Sequence, residues 1–272
     1  SAAIDLYSGR LRLTEEEISR HVSAATHADR AAAPAMAEPL RFLLAGQTNA
    51  GKSSLINALA SEVRAAVDAL PATRSFASYE IQPEGQAPVL LIDSPGIGQV
   101  ADFARLAEKA ADCDLLIWVA AANRADRALD RAALAAVKAH FAENPQRRLP
   151  PIMLVLSHID RLPPLQDWAP PYDVATPDTA KARTIRDAME AAAGDIGVQL
   201  ADTVPICVAP GRPPYNVDAV WAWVIEALPA AMSAQLLRCV SDSAPGLDWR
   251  RLMGQTVGAG RLVVDTLMRR TA

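Results

Sequence analysis

The stretch Gly46-Gln47-Thr48-Asn49-Ala50-Gly51-Lys52-Ser53 constrains this chain more than any other segment. It has the G-x-x-x-x-G-K-S spacing of a phosphate-binding loop, which carries meaning only between a strand and a helix. Its flanks comply: an apolar run at 40–45 precedes it and a helix-forming run at 54–60 follows. In that setting the backbone N–H groups of Asn49, Ala50, Gly51, Lys52, Ser53 and Ser54 point at a triphosphate. Lys52 reaches its β- and γ-phosphates, and the Ser53 hydroxyl binds Mg²⁺.

A strand–loop–helix start predicts an α/β chain, and the rest of the sequence continues the alternation. Strands are predicted at 41–45, 76–82, 89–93, 115–121, 152–157 and 204–208. Helices are predicted at 52–61, 102–111, 126–141, 179–193 and 217–228. Residues 62–75 read as a loop containing Pro71, and 163–177 as a Pro-rich insertion. Such an alternation implies a six-stranded, mostly parallel sheet with helices on both faces and an antiparallel second strand. The expected organisation is an N-terminal helical extension at 1–38, a central domain at 39–229 and a C-terminal helical extension at 230–272. Thr14 and Glu17 form a capping box for a helix at 15–33. The C-terminal extension is broken at Ala244-Pro245-Gly246.

Composition narrows the function classes. With 51% hydrophobic residues, many of them alanine, the chain can build a helix-rich core. Its net charge of −4 argues against broad binding to nucleic acid, and no DNA partner is expected. Cys113, Cys207 and Cys239 are widely spaced in apolar segments, as buried thiols in a reducing, cytoplasmic compartment would be. No uninterrupted apolar run of about 18 residues stands out, so a membrane span is not expected. The chain begins Ser-Ala-Ala without a signal peptide, which leaves open membrane association through segments beyond it.

Four further segments follow the phosphate loop in order: Pro71-Ala72-Thr73-Arg74, Asp93-Ser94-Pro95-Gly96, Ser157-His158-Ile159-Asp160 and Cys207-Val208-Ala209-Pro210. Together the five resemble the signature loops of a P-loop GTPase of the TRAFAC class. The 47–57 and 93–98 stretches resemble its Era/Der/TrmE-like branch. The Ser-His-Ile-Asp loop with its Pro170-Pro171-Tyr172 insertion is similar to YfjP-like bacterial relatives. This resemblance implies a P-loop NTPase three-layer sandwich that binds GTP or GDP with Mg²⁺. It implies hydrolysis of GTP as a conformational switch. Thr73 would add a Mg²⁺ ligand and sense the γ-phosphate, and Asp93 would hold Mg²⁺. The Gly96 N–H would bond the γ-phosphate. Asp160 would accept from guanine N1–H and N2–H₂, Ala209 would offer its N–H to guanine O6, and Val208 would sit beside it.

The sequence departs from that pattern at three places. His158 stands where the family has lysine: it either stacks on the base or is a loop histidine. Val208 replaces a usual serine at a backbone contact, and Ser75 replaces a frequent aspartate. After D-x-x-G, the position of a water-orienting glutamine holds Ile97. Gln99 is either recruited in its place or simply solvated, and so is Arg74 as a charge stabiliser. Relatives with this substitution place K⁺ beside the phosphates through a loop asparagine, and Asn49 matches that position; its alternative is a turn residue. Slow hydrolysis accelerated by K⁺, by a second G domain in a homodimer, or by another partner follows from the resemblance. Arg250, Arg251, Arg261, Arg269 and Arg270 make the tail basic, either as a solvated face or as a surface for the ribosome, RNA or a membrane. Two alternatives stay open: an ATP-using P-loop enzyme, and a nucleotide-binding scaffold with negligible turnover.

Overall fold

The computed structural model describes residues 38–62, 66–73, 76–82 and 88–243. The N-terminal helix expected at 15–33, Arg74, Ser75 and the basic tail lie outside the described residues. The elements run β1 (Leu40–Ala45), α1 (Lys52–Glu62), β2 (Ala66–Thr73), β3 (Phe76–Gln82), β4 (Val89–Asp93), α2 (Asp102–Ala111), β5 (Leu115–Ala121), α3 (Ala128–Glu143), β6 (Ile152–Ser157), α4 (Ala180–Ile196), β7 (Thr203–Pro205) and α5 (Val217–Ser243). One sheet takes them in the order β2-β3-β4-β1-β5-β6-β7.

Alternation along the central strands builds the two helical layers. Phe42 and Leu44 face the same side as Ile117, Val119, Met153 and Val155, and α1 and α5 cover that side with Leu55, Ile56, Leu59, Val220 and Val224. Leu43, Leu116, Trp118, Leu154 and Leu156 face the other side, under Phe103, Leu106, Leu134, Val137 and Ile185 of α2, α3 and α4. All seven residues of β5 are buried, as a parallel strand covered on both faces requires.

The six predicted strands are present, and β3 is antiparallel to β4. A seventh was not anticipated: 66–73 was expected to be a loop, yet it pairs antiparallel with β3. Asp68 and Pro71 disguised it. Both are tolerated because β2 is an edge strand and its register shifts between Leu70 and Thr73, around the proline. The last strand is shorter than predicted, ending at Pro205. After it the chain leaves the sheet, and Cys207 pairs with Tyr215 instead.

The boundary expected after residue 229 falls inside α5, which runs through Pro229 to Ser243. That continuity also corrects the expectation of no membrane-length segment. Val217–Cys239 is long and apolar enough to cross a membrane by length and composition. In this fold one face of it packs inward, with Val217, Val220, Val224, Ala231 and Ala234 buried and Arg238 buried beside Asp114, while Ile225, Met232 and Leu236 are exposed.

Candidate functional site

Every signature loop leaves the carboxyl end of a strand, so the topology gathers them at one edge of the sheet. The phosphate loop follows β1 and feeds α1. Its shape depends on two backbone conformations. Gly46 has φ +145, and a Cβ there would lie 2.0 Å from the Val119 carbonyl oxygen. Asn49 takes φ 61, a left-handed conformation that asparagine tolerates. The backbone alone therefore accounts for an asparagine at this position. Lys52 is buried, and its ammonium donates to the carbonyls of Gly46 and Gln47, both at 3.1 Å. Burial pulls its pKa down, opposed by the carboxylates of Asp93 and Asp130.

The D-x-x-G loop is docked on the phosphate loop. Ile97 N–H donates to Gly46 O at 3.1 Å, and the Ile97 side chain is buried in the core. An apolar side chain turned into the core carries no polar group with which to orient water. A Cβ at Gly96 would meet Thr48 Cα at 2.5 Å, so the close approach of the two loops needs glycine. Gln99 is exposed, and its N–H donates to Asp102 Oδ2 at 3.2 Å just before α2.

Two carboxylate oxygens test whether Mg²⁺ and a base fit. The Ser53 hydroxyl donates to Asp93 Oδ2 at 2.6 Å, while Asp93 Oδ1 is buried without a hydrogen-bond partner. A hydroxyl and a carboxylate oxygen with unused acceptor capacity suit a hard cation. Thr73 ends β2, in register with Phe76. Asp160 Oδ1 is also buried without a partner. It belongs to a cavity of about 60 Å³ lined by Gly51, Ser54, His158, Asp160, Val208 and Ala209, among others. Of the predicted phosphate-loop residues, Gly51 and Ser54 line this cavity with His158, Asp160, Val208 and Ala209, while Asn49, Ala50, Lys52 and Ser53 are not among its lining residues.

His158 adopts φ 57, and a Cβ on Gly51 would touch its Cε1 at 3.4 Å. Its Nδ1 lies 2.8 Å from the Ser157 hydroxyl, which itself donates to Ala50 O at 2.6 Å. With its one proton on Ala50, the hydroxyl accepts from Nδ1–H. Burial and the Arg161 cation hold the ring's pKa below the usual histidine range.

Sequence reasoning missed a second set of residues. Ser157 fastens the loop after β6 to the phosphate loop. Gln47 donates to Asp130 Oδ2 at 2.7 Å and to Asp126 O at 2.8 Å, and Trp118 donates to Asp130 Oδ1 at 3.0 Å. Arg124 donates to Gln47 Oε1 at 2.8 Å and Thr48 O at 3.0 Å. Burial pushes the Asp130 carboxyl up, against the bonds from Gln47 and Trp118 that favour its charge. This network holds the first half of the phosphate loop from behind.

The parallel sheet and its loop define a P-loop nucleotide-binding fold. Residues 41–158 match the family model described as 50S ribosome-binding GTPase. Among curated proteins, the tRNA modification GTPase MnmE of Parasynechococcus marenigrum is 37% identical over 121 residues, which are 42% of this chain and 27% of that protein. MnmE of Leptothrix cholodnii is 52% identical over 61 residues, 22% of this chain and 12% of that one. The small COPII coat GTPase SAR1 from Encephalitozoon cuniculi, solved with GDP, aligns with 76% of this chain and 84% of its own at 16% identity and a TM-score of 0.48. The matched segment is thus similar to GTPase domains of the TRAFAC P-loop class, on the TrmE/Era-like branch. The chain spans about a quarter of the length of the first MnmE relatives it matches.

Proposed function

We propose that this chain binds guanine nucleotide with Mg²⁺ and hydrolyses GTP to GDP and phosphate, as a conformational switch. The observation that carries the reading is the unpartnered Oδ1 of Asp160 beside Gly51, Ser54 and Ala209. A buried acceptor there suits the N1–H and N2–H₂ edge of guanine, which adenine does not present. Lys52 exchanges its two carbonyls for the β- and γ-phosphates. Ser53, Thr73 and Asp93 would hold Mg²⁺, which when bound neutralises charge on the phosphates. The Gly96 N–H faces the γ-phosphate, so loss of that phosphate releases both the Thr73 and the Gly96 loops.

Replacing Asp160 by Asn reverses the hydrogen-bonding edge. The expected result is a preference for xanthine over guanine diphosphate, a swing of about a hundredfold or more for a recognition pair exchanged between the two bases. Titration calorimetry with GDP, XDP and ADP measures it. Unchanged preference would sink the base assignment, and release of phosphate over many turnovers separates an enzyme from a scaffold.

With Ile97 buried, water is oriented by some other group. The reading that fits Asn49 is a K⁺ held beside the phosphates, completed by a second G domain. We expect turnover in K⁺ to exceed that in Na⁺ by about tenfold, the scale of roughly 1.4 kcal/mol in a barrier. The difference should grow with protein concentration. Equal rates in both salts at every concentration would remove the K⁺ and dimer readings. The names of the matched family and relatives favour an RNA-containing effector such as the ribosome or tRNA.

A further inference from the structure

Lys181 is the least expected charge in the described fold. It is 1% exposed and lies at the start of α4. Burial opposes its charge, and so does the positive end of the helix. What holds it there is a set of backbone carbonyls: Asp160 at 3.2 Å, Leu162, and Pro164 at 3.4 Å. Those carbonyls belong to the turn that presents the Asp160 carboxylate and to the first residues of the Pro-rich insertion.

The insertion carries the contact on to the loop after β7. The Lys181 ammonium lies 5.8 Å from the centre of the Trp168 ring, and the Arg212 guanidinium lies 5.3 Å from the same ring. Trp168 also stacks edge-on with Tyr172 and Tyr215, at 5.7 and 6.0 Å. The Tyr172 N–H donates to the Tyr215 hydroxyl at 3.1 Å. Arg212 N–H in turn bonds Ala209 O at 3.3 Å. The loop after β6 and the loop after β7 are therefore joined through one aromatic ring flanked by two cations.

We propose that Lys181 is a positioning residue for guanine recognition, and that Trp168 and Arg212 extend its hold from the Asp160 loop to the Ala209 loop. This rests on the guanine-nucleotide reading given above. The carbonyl cage fixes the turn in which Asp160 stands, and so fixes where its carboxylate can meet the two donors of the base. Without the cage the carboxylate still exists but is no longer held where both donors reach it. The loss should then fall on the base edge and spare the phosphates.

The test compares GDP with IDP, which lacks the 2-amino donor, and with ADP, in the full chain and in Lys181→Met, Trp168→Phe and Arg212→Gln. Lys181→Met should weaken GDP about tenfold while IDP weakens far less, so the GDP-to-IDP ratio narrows, as expected when one charge-linked hydrogen bond is lost. Arg212 is exposed, and its replacement, which leaves the core intact, should narrow the ratio in the same direction by about twofold, the scale of an exposed cation–π contact. Melting temperature is followed in parallel, because a purely structural role would lower it without moving the ratio. A ratio equal to that of the unsubstituted chain in the folded variants would overturn the proposal. If Lys181→Met does not fold, Trp168→Phe and Arg212→Gln decide alone by the same criterion. A parent chain that does not prefer GDP to ADP would instead overturn the guanine reading, and the proposal with it.

Discussion

Lys52→Met is expected to weaken GTP and GDP binding by about a thousandfold, roughly 4 kcal/mol, as when one partner of a buried charge pair is truncated. Stability of the nucleotide-free protein should change by less than about 1 kcal/mol. The contrast comes from what surrounds the ammonium. Each carbonyl it touches has a second donor: Gly46 O also accepts from Ile97 N–H, and Gln47 O from Ala50 N–H. Neither is orphaned when the lysine goes. The ammonium itself is held in a buried site that depresses its pKa, so its removal also relieves a desolvation cost. Phosphates have no such substitute for a positive charge. Titration calorimetry and urea denaturation of the same variant read the two numbers. A binding loss below tenfold would show that Lys52 does not face the nucleotide.

The loops around that lysine were legible from sequence because each is a local pattern at a strand's end. Gly46 to Ser53, Asp93 to Gly96, and Ser157 to Asp160 each carry their own signal within a few residues. The core strands were legible for the same reason, as apolar runs. What the pattern could not show were partners distant along the chain. The Ser157 hydroxyl meets Ala50 across 107 residues, and Gln47 meets Asp130 across 83. Lys181 lies behind a Pro-rich stretch that offers no periodicity. Strand β2 and the length of α5 were each obscured by a proline, in β2 together with Asp68. Pro71 is an ordinary loop signal, yet an edge strand tolerates it. Pro229 is an ordinary helix stop, yet α5 continues past it with Ala231 and Ala234 buried. Burial outweighs local propensity in α5, and antiparallel pairing with β3 does so in β2.

Asp114→Ala should cost about 3 kcal/mol of stability, the scale expected when a buried ion pair loses one member. It should leave GDP affinity of the folded protein within about twofold, because sites far apart with no shared partner behave independently. Asp114 is fully buried just before β5, at the edge of the sheet opposite the nucleotide loops. Its Oδ1 accepts from Arg238 Nε at 3.0 Å, and its Oδ2 accepts from Arg238 Nη2 at 3.1 Å and from Arg41 N–H at 2.9 Å. The pair ties the last turns of α5 to the first strand of the sheet, nine residues past the proline that weakens the helix. Alanine would strip the guanidinium of the carboxylate it bonds twice and leave the Arg41 N–H without that acceptor. A replacement of both members, Asp114→Leu with Arg238→Met, should recover much of the loss, since it also removes the buried charge. Urea denaturation of the two variants reads the difference, and hydrogen exchange should show the single variant opening first over 231–239. A single-variant loss below about 1 kcal/mol, the range of exposed pairs, would mean that water already reaches this contact.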